Sequence, residues 1–259
     1  MDATATSLIR SKIERLIQSG TVNMSARALL VWAHSYAPDA VQDLERMIAD
    51  VDRLVDNVTS ATLLAPHGWA FSSRCRPKDY GNAADLVVVG SIVQADELLC
   101  DSWDRVGHRA SALRLRTLGS WNSERSEVSR HRGDLVTKAI THHDSGDYDS
   151  AVPMVLAQVE GITADYSNGK MFFTRTPSRQ ADVVNEALLS TISENLAVVR
   201  NAFSKPLGYS TIEPTMSRHG VLHGRSVGYG TRTYSTKCLA LLSAAIDWAQ
   251  ALDSVLAAE

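Results

Sequence analysis

A chain of 259 residues with 44% hydrophobic side chains has enough apolar surface for a proper core, as one large domain or two small ones. Its formal charge of −3 and pI near 6.2 exclude a protein that coats nucleic acid through bulk charge, because non-specific affinity for a polyanion scales with the phosphates that Lys and Arg neutralise. Three scattered cysteines, Cys75, Cys100 and Cys238, offer neither a disulfide framework nor C-x-x-C metal spacing.

The opening Met-Asp-Ala-Thr-Ala-Thr-Ser lacks a basic stretch followed by an apolar one. The longest apolar run, Leu86 to Val89 resuming at Ile92, is too short to cross a bilayer, so the expectation is a cytoplasmic protein without membrane contact. Apolar residues recur mostly at three- and four-residue steps, with few alternating β-branched runs, which predicts an all-α chain. In residues 1–120 the expected helices run roughly from Ser7 to Gln18, Ala26 to Tyr36, Val41 to Ser60 and Ala83 to Arg105. An irregular 64–82 segment rich in turn formers interrupts them and carries Trp69, Phe71 and Tyr80. It reads as a loop folded over the helices with Trp69 as its anchor, in preference to a platform for stacking bases.

Charge is uneven along the chain. The N-terminal part is acidic through Asp39, Asp43, Glu45, Asp50, Asp52 and Asp56, whereas Arg105, Arg109, Arg114, Arg116, Arg125, Arg130 and Arg132 meet only Glu124 and Glu127. Such a run is either a set of solvated helix faces or a local anion-facing surface.

Residues 121–259 carry four apolar stripes. The first spans about Ser126 to His143, with Val128, Leu135, Val136, Ala139 and Ile140 expected inward. The second starts near Asp149 or Ser150, which leaves Pro153 in a tolerable first turn, and continues through Val155, Val159 and Ile162. The third runs from Val183 to Phe203 and stops before Pro206 and Gly208. The last carries Tyr234, Cys238, Leu241, Leu242, Ala245, Trp248, Leu252 and Val255 on one side, with Lys237, Asp247, Gln250 and Asp253 largely elsewhere. Four stripes in this length predict a C-terminal four-helix bundle, with residues 1–120 as a helical extension packed on it.

Just before the last stripe stands Ser217-Arg218-His219-Gly220-Val221-Leu222-His223-Gly224, an Arg-polar-x-x-x-His element read as opening the final helix. No Asp or Glu occurs from Pro214 to Ile246, while Arg218, Arg225, Arg232 and Lys237 do, so a phosphate-facing surface is expected there. Arginine is a permanent planar fork for phosphate oxygens, and histidine moves a proton near neutrality. The element resembles the R-x4-H signature of the HEPN superfamily, and the Gly146-Asp147-Tyr148 and Gln158-Val159-Glu160-Gly161-Ile162 wording upstream is consistent with it.

The resemblance implies a HEPN-like bundle over residues 121–259 acting as a metal-independent endoribonuclease. It needs no cofactor, binds RNA, and forms a homodimer whose composite site draws Arg218 and His223 from both subunits. Arg218 and His223 are then catalytic, His219 is the usual polar second position, and Arg225 is a supporting phosphate contact. Glu160 is a candidate to reach across and orient Arg218, the plainer reading being a solvated helix carboxylate, and Tyr229 either caps the site or packs. Prokaryotic toxins with a neutralising partner protein and antiviral effectors are the contexts the family suggests. Some HEPN-like domains lack catalysis and bind RNA, nucleotide or a partner protein, which is the alternative.

Other chemistries lack their residues. His219 and His223 have the spacing of a zinc pair, with His142 and His143 as further ligands, but Gly220 stands where H-E-x-x-H needs its acid. Cys75 and Ser217 have no G-x-S-x-G elbow around them, and no G-x-x-x-x-G-K-[ST] loop occurs.

Overall fold

The computed structural model describes residues 41–183, 190–213 and 215–257. The helices expected over Ser7 to Gln18 and Ala26 to Tyr36 lie outside the described residues. The chain divides into two compact units, Met1–Asp56 and Asn57–Glu259. In the first, the described part is the opening of helix α1, Val41–Leu64; the second holds the rest of that helix and the remaining described elements.

The described residues are about 70% helical, and no strand occurs among them, so the fold is all-α. After α1 a 3-10 turn at Ala65–His67 leads into α2 (Pro77–Val88) and α3 (Ile92–Val106). The single helix expected over Ala83 to Arg105 is therefore two, because the chain turns at Gly90 and Ser91 N–H returns to the Leu86 carbonyl. Pro77 at the first helical position starts α2 inside the segment read as irregular, since a proline there sacrifices no helical donor. Helix α4 (Arg109–Arg116) was not legible as a stripe. Helix α5 (Ser123–Asp144) is capped by Asn122, whose side chain accepts from Arg125 N–H. Its Val136, Ala139 and Ile140 are buried as expected, but Val128 and Leu135 are exposed.

Helix α6 (Tyr148–Tyr166) begins earlier than read, behind an Asp147 cap, so Pro153 lies beyond the first turn. A proline cannot donate to the carbonyl four residues before it. That carbonyl belongs to Asp149, and it accepts instead from the Tyr229 hydroxyl at 3.3 Å. Helix α7 is described from Ser190 to Phe203; Val183 precedes it, buried but not helical. A five-residue helix α8 (Arg218–Leu222) and the long α9 (Arg232–Leu256) complete the set.

Helix α9 is the axis of the unit, in contact with α3, α4, α6 and α7, while α5 packs on both α4 and α6. The four expected bundle helices, α5, α6, α7 and α9, do pack in this chain, yet α3 and α4 join the same core, which runs continuously from Leu64 to Ala249 across the expected 120/121 division. Residues Tyr234 to Ala249 of α9 are buried all round, not along one stripe. That burial extends to Lys237 and Asp247, which the sequence pattern placed on the other face. Both are paired, as buried charge requires: Lys237 Nζ lies 2.9 Å from Asp96, and Asp247 binds Arg114 and Ser73. Among the described residues α9 is also the helix long and apolar enough to span a bilayer, at a mean hydropathy of 1.3, although 61% of that window is buried inside the protein.

The 65–76 segment is held inside this unit. Trp69 is fully buried and donates its indole N–H to Asp96 at 2.7 Å. Asn195 of α7 accepts from Phe71 N–H and donates to the Ala61 and Trp69 carbonyls. Trp69 is an anchor, with no face open to a base.

Candidate functional site

The R-x4-H element does not open the long helix. It forms α8 and its C-terminal end, and residues 224–231 separate it from α9. The reason is local. Ser217 accepts from Gly220 N–H through its hydroxyl, a standard N-terminal cap, and the helix ends one turn later with His223 as the C-cap. Gly224 then takes the left-handed conformation at φ +68°, which glycine adopts without steric cost, and the Gly220 carbonyl accepts from Arg225 and Ser226 N–H. Thr231 caps α9 through Tyr234 N–H.

Helix α8 is fixed from beneath. Ser217 is fully buried, donates to the Lys205 carbonyl at 2.6 Å, and its amide donates to the Tyr234 hydroxyl at 3.1 Å. Tyr234 in turn packs edge-on against Phe203, so the motif is tied to α7 and α9 through one serine and one tyrosine.

Above that base the motif side chains diverge. Arg218 leans inward, its guanidinium 5.9 Å from the Phe173 ring centre, with Nε buried and making no hydrogen bond within the chain. It lines a cleft of about 260 Å³ together with Glu160, Phe173, Arg175 and His219. One Glu160 oxygen accepts from Phe173 N–H at 3.1 Å and the other is buried without a partner in the chain. Glu160 and Arg218 thus face one cleft with Phe173 between them, and no ion pair joins the two among the described residues.

His219 and His223 are both exposed, with ring centres 4.2 Å apart, and His219 also borders the cleft. Partial desolvation, then the charges of His223, Arg225 and Arg218, lower the His219 imidazole below its ordinary value. His223 is not part of the cleft lining. Arg225 is exposed and donates to the Leu207 carbonyl at 3.0 Å, which ties the turn after α8 to the 205–213 segment. Tyr229 packs near Tyr234, at 6.4 Å between ring centres, and spends its hydroxyl on α6.

The cationic surface is smaller than the sequence suggested. Arg232 pairs with Asp101 and Asp104, and Lys237 with Asp96, which leaves Arg218, His219, His223 and Arg225 around α8. Most of the second basic run is absorbed likewise: Arg105 by Asp79, Arg114 by Asp247, Arg116 by Asp134 and Arg132 by Asp165, with Arg125 over the Trp121 and Tyr166 rings, while Arg109 and Arg130 are exposed. Sequence reasoning missed Phe173 and Arg175. The Phe172-Phe173-Thr174-Arg175 run, aromatic beside basic in a non-helical segment, was the signal available.

Compared with protein-family models, with curated proteins and with solved structures, the chain matches none.

Proposed function

We propose that the protein is a metal-independent endoribonuclease of HEPN type, cutting RNA by attack of a 2′-hydroxyl on the adjacent phosphodiester. The observation that carries this reading is the pair of exposed imidazoles at 4.2 Å beside Arg218 on an acid-free turn. In such a reaction one imidazole takes the 2′-hydroxyl proton and the other protonates the departing 5′-oxygen, leaving a 2′,3′-cyclic phosphate and a 5′-hydroxyl end. A lowered His219 is neutral at physiological pH and suits the first task, so His223 takes the second. Arg218 stabilises the charge gathering on the phosphate oxygens and Arg225 receives a neighbouring phosphate. Glu160 faces Arg218 across the cleft as its positioning carboxylate, and Tyr229 holds the turn to α6.

The proposal includes a homodimer in which two α8 elements share one groove, acting in the cytoplasm as a toxin with a neutralising partner protein or as an antiviral effector. DNA has no internal nucleophile and is spared. The test is total RNA incubated with purified protein in EDTA, with folding verified by circular dichroism. Wild type is expected to cleave, and His223→Ala and Arg218→Ala each to lose ~100-fold or more of that activity, with the melting temperature and the dimer unchanged. Cleavage that survives both substitutions refutes the assignment.

One observation favours a second reading, a HEPN-like module that binds RNA, nucleotide or a protein without cutting. Arg218 faces the cleft while His223 does not line it, an arrangement that grips an anion more readily than it completes acid–base chemistry. Under that reading wild type binds RNA yet leaves it intact.

A further inference from the structure

We propose a second site, separate in all its residues from the α8 surface: a zinc-binding centre built from Asp104, His108 and His143. Asp104 lies on α3, His108 is the residue that leads into α4, and His143 sits in the last turn of α5. One ligand atom from each falls within 4.8 Å of the others. Asp104 Oδ1 is 3.5 Å from His143 Nε2 and 3.8 Å from His108 Nε2. Zinc bound to nitrogen and oxygen at about 2.0–2.1 Å in a tetrahedron separates its ligand atoms by about 3.3 Å. The two gaps to Asp104 need to contract only slightly around an ion, the third, between the imidazoles, lies within 4.8 Å, and the 3.8 Å gap is too long for a direct hydrogen bond.

The imidazoles are arranged as ligands. Both are buried, at 4% exposure for His108 and 5% for His143. His108 Nε2 is inaccessible and has no hydrogen-bond partner, a costly state for a buried polar atom that points into the cluster. On His143 the other nitrogen, Nδ1, meets the Ser235 hydroxyl at 2.8 Å, the outer contact that fixes ring orientation and leaves Nε2 for a metal. Trp103 stacks in parallel on His108 at 5.9 Å and Tyr148 packs edge-on against His143 at 5.4 Å, so neither ring is free to turn away.

The charge also fits. Arg232 binds the second Asp104 oxygen and also Asp101, leaving Oδ1 as a one-oxygen ligand. Two carboxylates face one guanidinium, so a net negative charge remains for a cation. Two nitrogens and one carboxylate oxygen are a borderline-soft set that suits zinc over calcium or magnesium. Asp104, 39% exposed, leaves the fourth position on the solvent side. Because the ligands come from α3, the α4 entry and α5, the ion would fasten three helices around α9.

The experiment uses the full chain, stripped of metal with EDTA, returned to chelator-free buffer and titrated with zinc chloride against a chromophoric chelator. One zinc per chain is expected at micromolar or tighter affinity, and cobalt chloride should give the intense visible bands of a tetrahedral site. His108→Ala and His143→Ala should each weaken binding ~100-fold or more, and Ser235→Ala about 10- to 100-fold through the outer contact. The double variant His219→Ala, His223→Ala should bind as wild type. Should either alanine ligand variant fail to fold, imidazole 15N spectra of wild type decide: zinc must move Nε2 of His108 and His143. The proposal is overturned if folded wild type takes up no stoichiometric zinc, or if the double variant is the one that loses it.

Discussion

Asp247 provides the sharpest test of how the core is packed. It sits on the central helix, its side chain 6% exposed, and accepts from the Arg114 guanidinium, from Ser73 N–H at 2.6 Å and from the Ser73 hydroxyl at 2.8 Å. Asp247→Ala removes all three acceptor contacts and leaves a guanidinium, itself only 21% exposed, with Gln250 as its remaining partner and no counter-charge. Breaking one side of a buried pair costs about 3–5 kcal/mol, most of it the stranded partner charge. For the roughly 200 residues of Asn57–Glu259, the unfolding entropy is about 0.4 kcal/mol/K, so a loss of ~4 kcal/mol lowers the melting temperature by about 9 °C. Differential scanning calorimetry measures it directly. Replacing the ion pair on both sides, Asp247→Leu with Arg114→Met, should recover part of the loss, because it removes the stranded guanidinium while Ser73 N–H and hydroxyl still lack their acceptor. A single variant that melts within about 3 °C of wild type, or a double variant worse than Asp247→Ala, refutes this account of the core.

Three further outcomes are expected. By NMR titration, His219 should titrate below the ~6.5 of a free imidazole, and His223→Ala or Arg225→Ala should move its midpoint up; an unmoved midpoint removes the electrostatic coupling around α8. Because the folded value is the lower one, the unfolded chain holds the extra proton between it and ~6.5, so this group's contribution is present above ~6.5 and is lost as pH falls through that window. Tyr229→Phe should cost up to ~1 kcal/mol by removing the donor to the exposed Asp149 carbonyl, which water partly replaces, and the cost should shrink in a Pro153→Ala background, where residue 153 regains an N–H for that carbonyl; equal costs in both backgrounds would sink the pairing. At Gly228 an added Cβ would fall 1.7 Å from the Ile212 carbonyl oxygen, so Gly228→Ala should split the 211–212 and 225–227 segments, destabilise by ~2 kcal/mol and open the turn to limited proteolysis. An unchanged melting curve would show that the close approach is not needed.

Helix positions were legible where apolar spacing was the only force at work, as in α5 and α6. They were misread where a second force acted. Helix α4 carries three arginines in eight residues and reads as solvated, yet Arg114 and Arg116 are taken up by Asp247, Gln250 and Asp134, partners that lie 18 to 136 positions away in the chain. Helix α9 shows one clear stripe in sequence, but its remaining faces are filled by Ser235, Thr236, Ala240, Ser243 and Ala244, small residues that let neighbours approach from every side. Hydropathy does not distinguish a small residue facing water from one facing a helix.

The candidate site divides along the same line. Arg218, His219 and His223 were found because they are contiguous, and Gly224, Gly228 and Gly230 in the sequence already marked the turn that detaches them from α9. What contiguity hides is direction. The His223 C-cap position turns its ring outward to meet His219, whereas Arg218 at the first helical position leans over Phe173, so six residues of one motif serve a cleft and an outer face at once. The Asp104, His108 and His143 cluster carries no such local signature. Its ligands are joined only when α5 folds back along α4, and His143 was legible merely as the second half of a His-His pair. That pair separates in the fold: His142 stays at the surface on Asp147, and His143 turns inward to Ser235, because adjacent positions on a helix point about 100° apart. A spacing rule applied to His142 and His143 together therefore selects the wrong ligand set, and only the packing of α5 against the core singles out the one imidazole able to join a buried centre.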